Sequence, residues 1–205
     1  MTTHAVGERV DGRSEHVPKT RQALVDAALR LFARHGYDAT TVGQIAEAVG
    51  VSQRTFFRYF ETKDRVLFFG GDDFNDALVQ AIGDQPAHVP DLHAFEATVI
   101  ALAGMVQPLK ARIRLFNKAL QSSPELMGQQ ALARQRHQEA VAHALAGRRG
   151  VQATDADSRL AARLGLLMLQ ESYEQWLEGD RMLGEVIAAV AVQLRATVAD
   201  SSSGR

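Results

Sequence analysis

The chain has 205 residues, 46% hydrophobic and 23% charged, an ordinary balance for a globular protein and enough length for one large domain or a small one joined to a larger one. A formal net charge of −1 argues against a protein that coats polyanions in bulk, and the lack of cysteine excludes disulfides and thiolate chemistry. The N-terminal residues have no apolar core of the signal-peptide kind, no apolar run reads as approaching the ~20 residues of a membrane span, and the expected location is the cytoplasm.

Nearly every segment has helical periodicity and none keeps the alternation of a strand, which predicts an all-α fold of about nine helices. Residues 1–17 are polar and aperiodic and read as a flexible arm. Its Arg9 and Arg13 have the chemistry to enter a minor groove, but Glu8, Asp11 and Glu15 offset them. A first helix is predicted from Pro18, whose missing N–H costs nothing in a first turn, to His35. Leu24, Ala28, Leu31 and Phe32 share one face, and Gly36 is the stop. A short second helix starts at Thr41, where Thr41 and Gln44 have the spacing of a capping box; its apolar face is Val42, Ile45, Ala46 and Val49. Gly50 supplies a turn, Ser52 caps a third helix over 53–60, and Thr62 caps a fourth over 63–83. After a loop over 84–90, five further helices are predicted near 91–106, 109–121, 124–147, 155–178 and 180–199. Ser123-Pro124-Glu125 is a strong start signal: a cap, a proline in the first turn and an acid near the positive end of the dipole. Gly150 and Gly179 mark breaks, and residues 200–205 read as a tail.

The segment 41–60 has the plan of a helix-turn-helix: two short helices around a glycine turn, the second entering a major groove. Ile45, Ala46, Val51, Phe56 and Phe60 are the candidate core, and Ala46 is small where two helices must cross closely. With Phe56 and Phe60 on one face at i,i+4, Gln53, Arg54, Phe57 and Arg58 turn elsewhere, several of them toward solvent. Arginine can bond guanine O6 and N7 together, glutamine can do the same to adenine, and Thr55 or Phe57 can touch a thymine methyl. Thr41, Ser52, Tyr59 and Lys63 stand where phosphates flank such a groove. The same periodicity also fits a plain helical hairpin with core aromatics and solvated arginines. Charge is compatible with DNA without requiring it: residues 1–69 hold 10 Lys+Arg against 8 Asp+Glu, and 70–205 hold 13 against 16.

The run Arg21–Leu67, with its Ala-Ala-Leu-Arg-Leu-Phe, Gly-Tyr-Asp-Ala-Thr-Thr, Ile-Ala-Glu-Ala-Val-Gly-Val-Ser and Thr-Phe-Phe-Arg-Tyr-Phe elements and the following Lys63, resembles the DNA-binding domain of the TetR family. The resemblance implies a helix-turn-helix DNA-binding domain over 18–66, a fourth connecting helix running on from Lys63, and a helical ligand-binding and dimerisation domain over 67–199. Gln53, Arg54 and Thr55 would then read bases. Thr41, Ser52, Tyr59 and Lys63 would hold phosphates, and Arg58 is divided between a phosphate contact and a plain surface charge. Where the family usually has a tyrosine this chain has Phe57, which cannot donate to a phosphate and would pack on sugar or a thymine methyl. The implied partners are a palindromic double-stranded operator, a small-molecule effector and a second copy of the chain.

For the second domain, the resemblance implies dimerisation through 155–199, with Leu160, Leu164, Leu167, Leu183, Ile187, Val190 and Leu194 as candidate interface residues. The candidate pocket is Phe74, Phe95, Met105, Phe116, Met127, His137 and Met168, each of which also suits a plain core. The stretch Arg112-Ile-Arg-Leu-Phe116 through Ser123-Pro-Glu-Leu126 is similar to the mycofactocin-regulator-like subgroup, which implies an acyl-CoA-like ligand and gives Arg112, Arg114 or Arg134 to its phosphates or carboxylate. Two rival readings are an enzyme and a helical protein–protein adaptor without DNA binding. No Gly-x-Ser-x-Gly, phosphate loop or His-Glu-x-x-His is present, so no catalytic residue, cofactor or metal is expected.

Overall fold

A computed structural model describes residues 12–202. Most of the expected arm, with Arg9, and the end of the expected tail, residues 203–205, lie outside the described residues. Where the rest can be compared, the backbone is helical. Helix α1 spans Gly12–His35, so it passes through Pro18 instead of starting there. A proline inside a helix removes one N–H that would have met the carbonyl four residues earlier and crowds that carbonyl with its ring, so the turn before Pro18 is the weak end of α1. Leu24, Val25, Ala28, Leu29 and Phe32 are buried and Leu31 sits at the margin. The helix stops at Gly36, at φ 87, whose N–H still reaches the Phe32 carbonyl at 2.9 Å.

Two short helices follow, α2 at Val42–Glu47 and α3 at Gln53–Tyr59, with Gly50 at φ 70 between them. Ile45, Ala46 and Phe56 are buried where they meet, and Phe60 closes the unit against Phe56 and Phe69, with ring centres 5.5 and 5.9 Å apart. Val51, expected in this core, is only half-buried.

The fourth helix, expected as one piece over 63–83, is divided. A 3-10 turn at Asp64–Val66 is followed by α4 at Gly71–Gly83. Between them Gly70 has φ 88, a left-handed conformation that costs an L side chain ~1–2 kcal/mol and that glycine adopts freely. Periodicity runs on from Val66 and Leu67 to Phe74 and Leu78, but the Gly70-Gly71 pair interrupts the backbone. The chain divides at the same place into two compact units, residues 1–69 and 70–205.

In the second unit α5 (Asp91–Val106) packs on α4, α8 (Ala156–Glu178) and α9 (Leu183–Ser202), while α7 (Pro124–Arg148) packs on α4, α8 and α6 (Lys110–Gln121). Leu78, Ile82, Phe95, Leu145, Trp176 and Ile187 form the middle of its core. Gly165 lets α8 approach α5: a Cβ there would stand 2.6 Å from Phe95 Cδ1.

The helix ends use varied partners. Asp155 caps α8, accepting from the Ser158 N–H at 2.8 Å. Gln107 Oε1 accepts the Leu183 N–H at 2.8 Å and so caps α9 from another element. Ser123 stands at the α7 cap position before Pro124 and Glu125, but it is buried and its hydroxyl makes no capping bond. Arg148, with no exposed side-chain surface, gathers the loop before α5 by donating to the Pro86 carbonyl at 2.7 Å, to the Val89 carbonyl and to Asp91 at 2.6 Å.

One expectation from composition is corrected. The stretch Asp91–Gln121 reaches a mean hydropathy of 1.3 over an 18-residue window, enough by length and composition to cross a membrane. It is interrupted by a 3-10 turn at Gln107–Leu109, and it divides between Phe95, Val99, Ala103 and Val106, buried in the core, and Ile100, Met105 and Leu109, which are exposed.

Candidate nucleic-acid interface

Both short helices of the first unit are pinned at their first turns. Thr41 Oγ1 accepts the Gln44 N–H at 3.2 Å while Gln44 Oε1 accepts the Thr41 N–H at 2.8 Å, the reciprocal bonds of a capping box. Ser52 Oγ accepts the Thr55 N–H at 3.2 Å, and the Ser52 and Thr55 hydroxyls lie 3.0 Å apart. These bonds satisfy N–H groups that a helix start leaves open. They also make α3 a fixed platform in spite of its length.

The outward face of that platform is unusual in what it leaves unused. From Ala48 to Phe60 there is no acidic residue. Phe56 is turned fully inward, and Gln53, Arg54, Phe57 and Arg58 are exposed, Phe57 to 53%. Among the described residues, the Gln53 and Arg54 side chains find no hydrogen-bond or ion-pair partner within the protein. An unpaired guanidinium beside an unpaired carboxamide offers five N–H donors plus an amide donor–acceptor pair to whatever docks there.

The remaining candidates are engaged. Arg58 donates to the Tyr59 hydroxyl at 3.2 Å, its guanidinium carbon 5.0 Å from that ring's centre. Lys63 does not reach outward. Its Nζ donates to the Tyr37 carbonyl at 2.7 Å and the Thr40 carbonyl at 3.0 Å, and lies 3.9 Å from the Tyr37 ring centre. It closes the turn between α1 and α2, and of its three N–H groups one is left for a phosphate.

Sequence reasoning passes over Gly43. A glycine inside a short helix costs roughly 0.5–1 kcal/mol relative to alanine, and that cost is the signal that marks it. A Cβ at this position would lie 2.7 Å from Gln53 Nε2, so the Gln53 side chain rests where any other residue would put a methyl.

The candidate pocket residues of the second unit are not brought together. Phe95 and Met168 are buried core, Phe95 against Gly165, and Phe74 packs on the edge of that core. Met105 is 61% exposed. Arg112, Phe116 and His137 are half-buried, and burial pushes the His137 imidazole below its ordinary pKa. Met127 and Arg134 do share a site, an open cleft of about 420 Å³ lined also by Leu120, Gln130 and Gln138. Arg114 is used structurally: its Nε donates to the Leu177 carbonyl at 2.9 Å, and Lys110 donates to the Gly179 carbonyl. Both satisfy carbonyls that the end of α8 leaves open. Arg134 donates to Gln170 Oε1 at 3.1 Å.

The candidate interface residues also divide. Leu183, Ile187 and Val190 are buried inside the unit and pack into its own core. Leu160 and Leu167 are 57% and 61% exposed on α8, with Leu164 and Leu194 half-buried. On α9, Val192 is 59% exposed between the exposed Ala189 and Ala196.

Residues 24–68 match the family described as bacterial regulatory proteins, tetR family, and residues 89–199 match the MftR C-terminal domain. The chain is 28% identical over 176 residues to the transcriptional regulator MftR of Mycobacterium tuberculosis, covering 83% of this chain and 86% of that one. It is 39% identical over 95 residues to the HTH-type transcriptional regulator TcmR of Streptomyces glaucescens, covering 46% of this chain and 42% of TcmR. The fold is similar to that of the transcriptional regulator FadR from Bacillus subtilis, solved in complex with stearoyl-CoA. The TM-score is 0.58 at 19% identity, covering 82% of this chain and 94% of that one. The chain therefore belongs to the tetR family of bacterial regulatory proteins, DNA-binding regulators of transcription, and carries a C-terminal domain of the MftR type.

Proposed function

We propose that the protein is a homodimeric repressor that grips a palindromic operator with two copies of α3 and leaves it when an acyl-CoA-like ligand binds the second unit. The observation that carries the DNA reading is the acid-free outward face of α3, on which Gln53 and Arg54 are unpaired and Phe57 is exposed. Arg54 suits a guanine edge, Gln53 an adenine edge, and Phe57 a thymine methyl or sugar; Thr55 adds a base contact beside Ser52. Thr41, Ser52, Tyr59 and the remaining N–H of Lys63 hold phosphates, and Arg58, stacked on Tyr59, extends the same backbone contact.

Dimerisation is supported by the exposed apolar side chains on α8 and α9, Leu160, Leu167 and Val192, which are costly to leave in water and suited to a two-fold contact. A dimer of this kind places its recognition helices about one duplex turn apart or a multiple of it. The ligand reading is supported by the MftR-type domain, by the FadR complex with stearoyl-CoA, and by the cleft at Met127 and Arg134, where methionine flexibility and a guanidinium stand together. A ligand shifts the DNA-bound state only by its difference in affinity for the two states. A regulator that acts on an operator in this way would work in the cytoplasm.

Selection from random duplexes by the purified full chain tests this reading. A two-fold symmetric motif, bound with affinity that falls steeply with salt, is the expected outcome; the recovered operator is then titrated with stearoyl-CoA and with coenzyme A alone. No enrichment with or without stearoyl-CoA would overturn the operator reading, and unchanged operator affinity at saturating stearoyl-CoA would overturn the ligand reading.

A further inference from the structure

We infer that Gly43 on α2 is a specificity-determining positioning residue, leaving open the place that the Gln53 carboxamide of α3 occupies. This rests on the proposed role of Gln53 as a base reader. It assigns the control of that role to a residue outside the recognition helix.

The geometry is direct. A methyl at position 43 would lie 2.7 Å from Gln53 Nε2 and 3.6 Å from its Cδ, with Thr41 Oγ1 at 3.7 Å. The first distance is well inside contact, so a side chain at 43 and the present position of the amide exclude one another. What yields is decided by the surroundings. The α2 backbone is held by the Thr41–Gln44 capping box and by the buried Ile45 and Ala46. The end of Gln53 is exposed, flexible and held by no hydrogen bond. The amide therefore moves and the helix stays. A glutamine bonds adenine N6 and N7 together only when its amide plane is aligned with the base edge, so another rotamer forfeits or redirects that contact. The absence of a side chain at 43 leaves a shelf for the amide, and a side chain there would remove the present approach of Gln53 from its choices.

The test uses full-length wild type, Gly43→Ala, Gln53→Ala and the double variant in parallel selections from random duplexes. Gly43→Ala should fold as wild type, with an equal or higher Tm, because alanine is the better helix former. It should lose about tenfold discrimination at one base pair per half-site. Gln53→Ala should change that same base pair, and the double variant should discriminate no worse than Gln53→Ala alone. Wild-type preferences in Gly43→Ala, or a change at a base pair that Gln53→Ala leaves untouched, would overturn the inference while Gln53 remained a base reader. No change in Gln53→Ala at any base pair would remove the base-reading role and the inference together. Should Gly43→Ala not fold, nuclear Overhauser contacts between the Gly43 Hα atoms and the Gln53 amide protons in the wild-type protein decide it: their presence supports the shelf, and their absence refutes it.

Discussion

In the first unit Gln53 and Arg54 stand on the surface with no partner inside the protein, whereas in the second Lys110, Arg114, Arg148, Arg149 and Arg195 are all turned onto carbonyls or carboxylates. The exposed apolar side chains are distributed the other way. Leu160, Leu167, Val192, Met105 and Met127 are exposed in the second unit, against Phe57 in the first. The pairing shows that these five cations of the second unit bind its fold together, whereas Gln53 and Arg54 of α3 keep their side-chain donors free. Net charge per unit, 10 Lys+Arg against 8 Asp+Glu in residues 1–69 and 13 against 16 in 70–205, points to the first unit, and the unused side-chain donors narrow the face to α3.

That contrast can be broken by mutation. The largest effect is expected from Arg148→Met, which leaves the nearly buried Asp91 with Arg149 alone and strips the Pro86 and Val89 carbonyls of their donor. Removing one partner of a buried pair should cost about 3 kcal/mol, read as a lower urea midpoint at unchanged slope. A midpoint equal to wild type would mean that Arg148 is not structural. Arg54→Ala sharpens the other side: stability within about 0.5 kcal/mol of wild type, but a loss of ~1–3 kcal/mol on the cognate operator with one base position relaxed. Equal losses on cognate and random duplex would make Arg54 a phosphate contact instead. Gly165→Ala probes the second core, since its Cβ would strike the Phe95 ring at 2.6–3.0 Å. Overpacking of this kind should cost about 2 kcal/mol by thermal or urea melt.

The smallest effect concerns acid. Asp155 is held below the ordinary carboxylate range first by the Ser158 hydroxyl and N–H and then by Arg149. A carboxyl depressed in the folded state stabilises the protein above its unfolded pKa, and that contribution is lost as pH falls through the folded value. Wild type should therefore lose Tm more steeply than Asp155→Asn as pH drops below about 4, the ordinary aspartate range. Parallel Tm curves would place the carboxylate outside the stability balance.

The helix-turn-helix was legible because its signals are local. A capping box at Thr41, a turn glycine at Gly50, a cap at Ser52 and an i,i+4 pair of phenylalanines all fall within about twenty residues. The second unit was legible only as helices. Periodicity identifies an apolar stripe, but it does not say whether a stripe faces its own core or a partner. That is why Leu183, Ile187 and Val190 read as interface and are buried, while Leu160 and Leu167 read the same way and are exposed. Arg114 looked free for a ligand because its partner, the Leu177 carbonyl, lies 63 residues away and only tertiary structure joins them. The division at Gly70 was present in the sequence as a Gly-Gly pair, yet the apolar spacing on either side continued through it.

Lys63 has a consequence for the thermodynamics of association. Its stem is already ordered by two carbonyls and the Tyr37 ring. A free lysine on a binding surface surrenders up to ~2 kcal/mol of rotamer freedom when a phosphate fixes it. Here that freedom is given up during folding, so if the positive charge beside the turn between α1 and α2 meets a phosphate, as proposed, little side-chain entropy is left to lose.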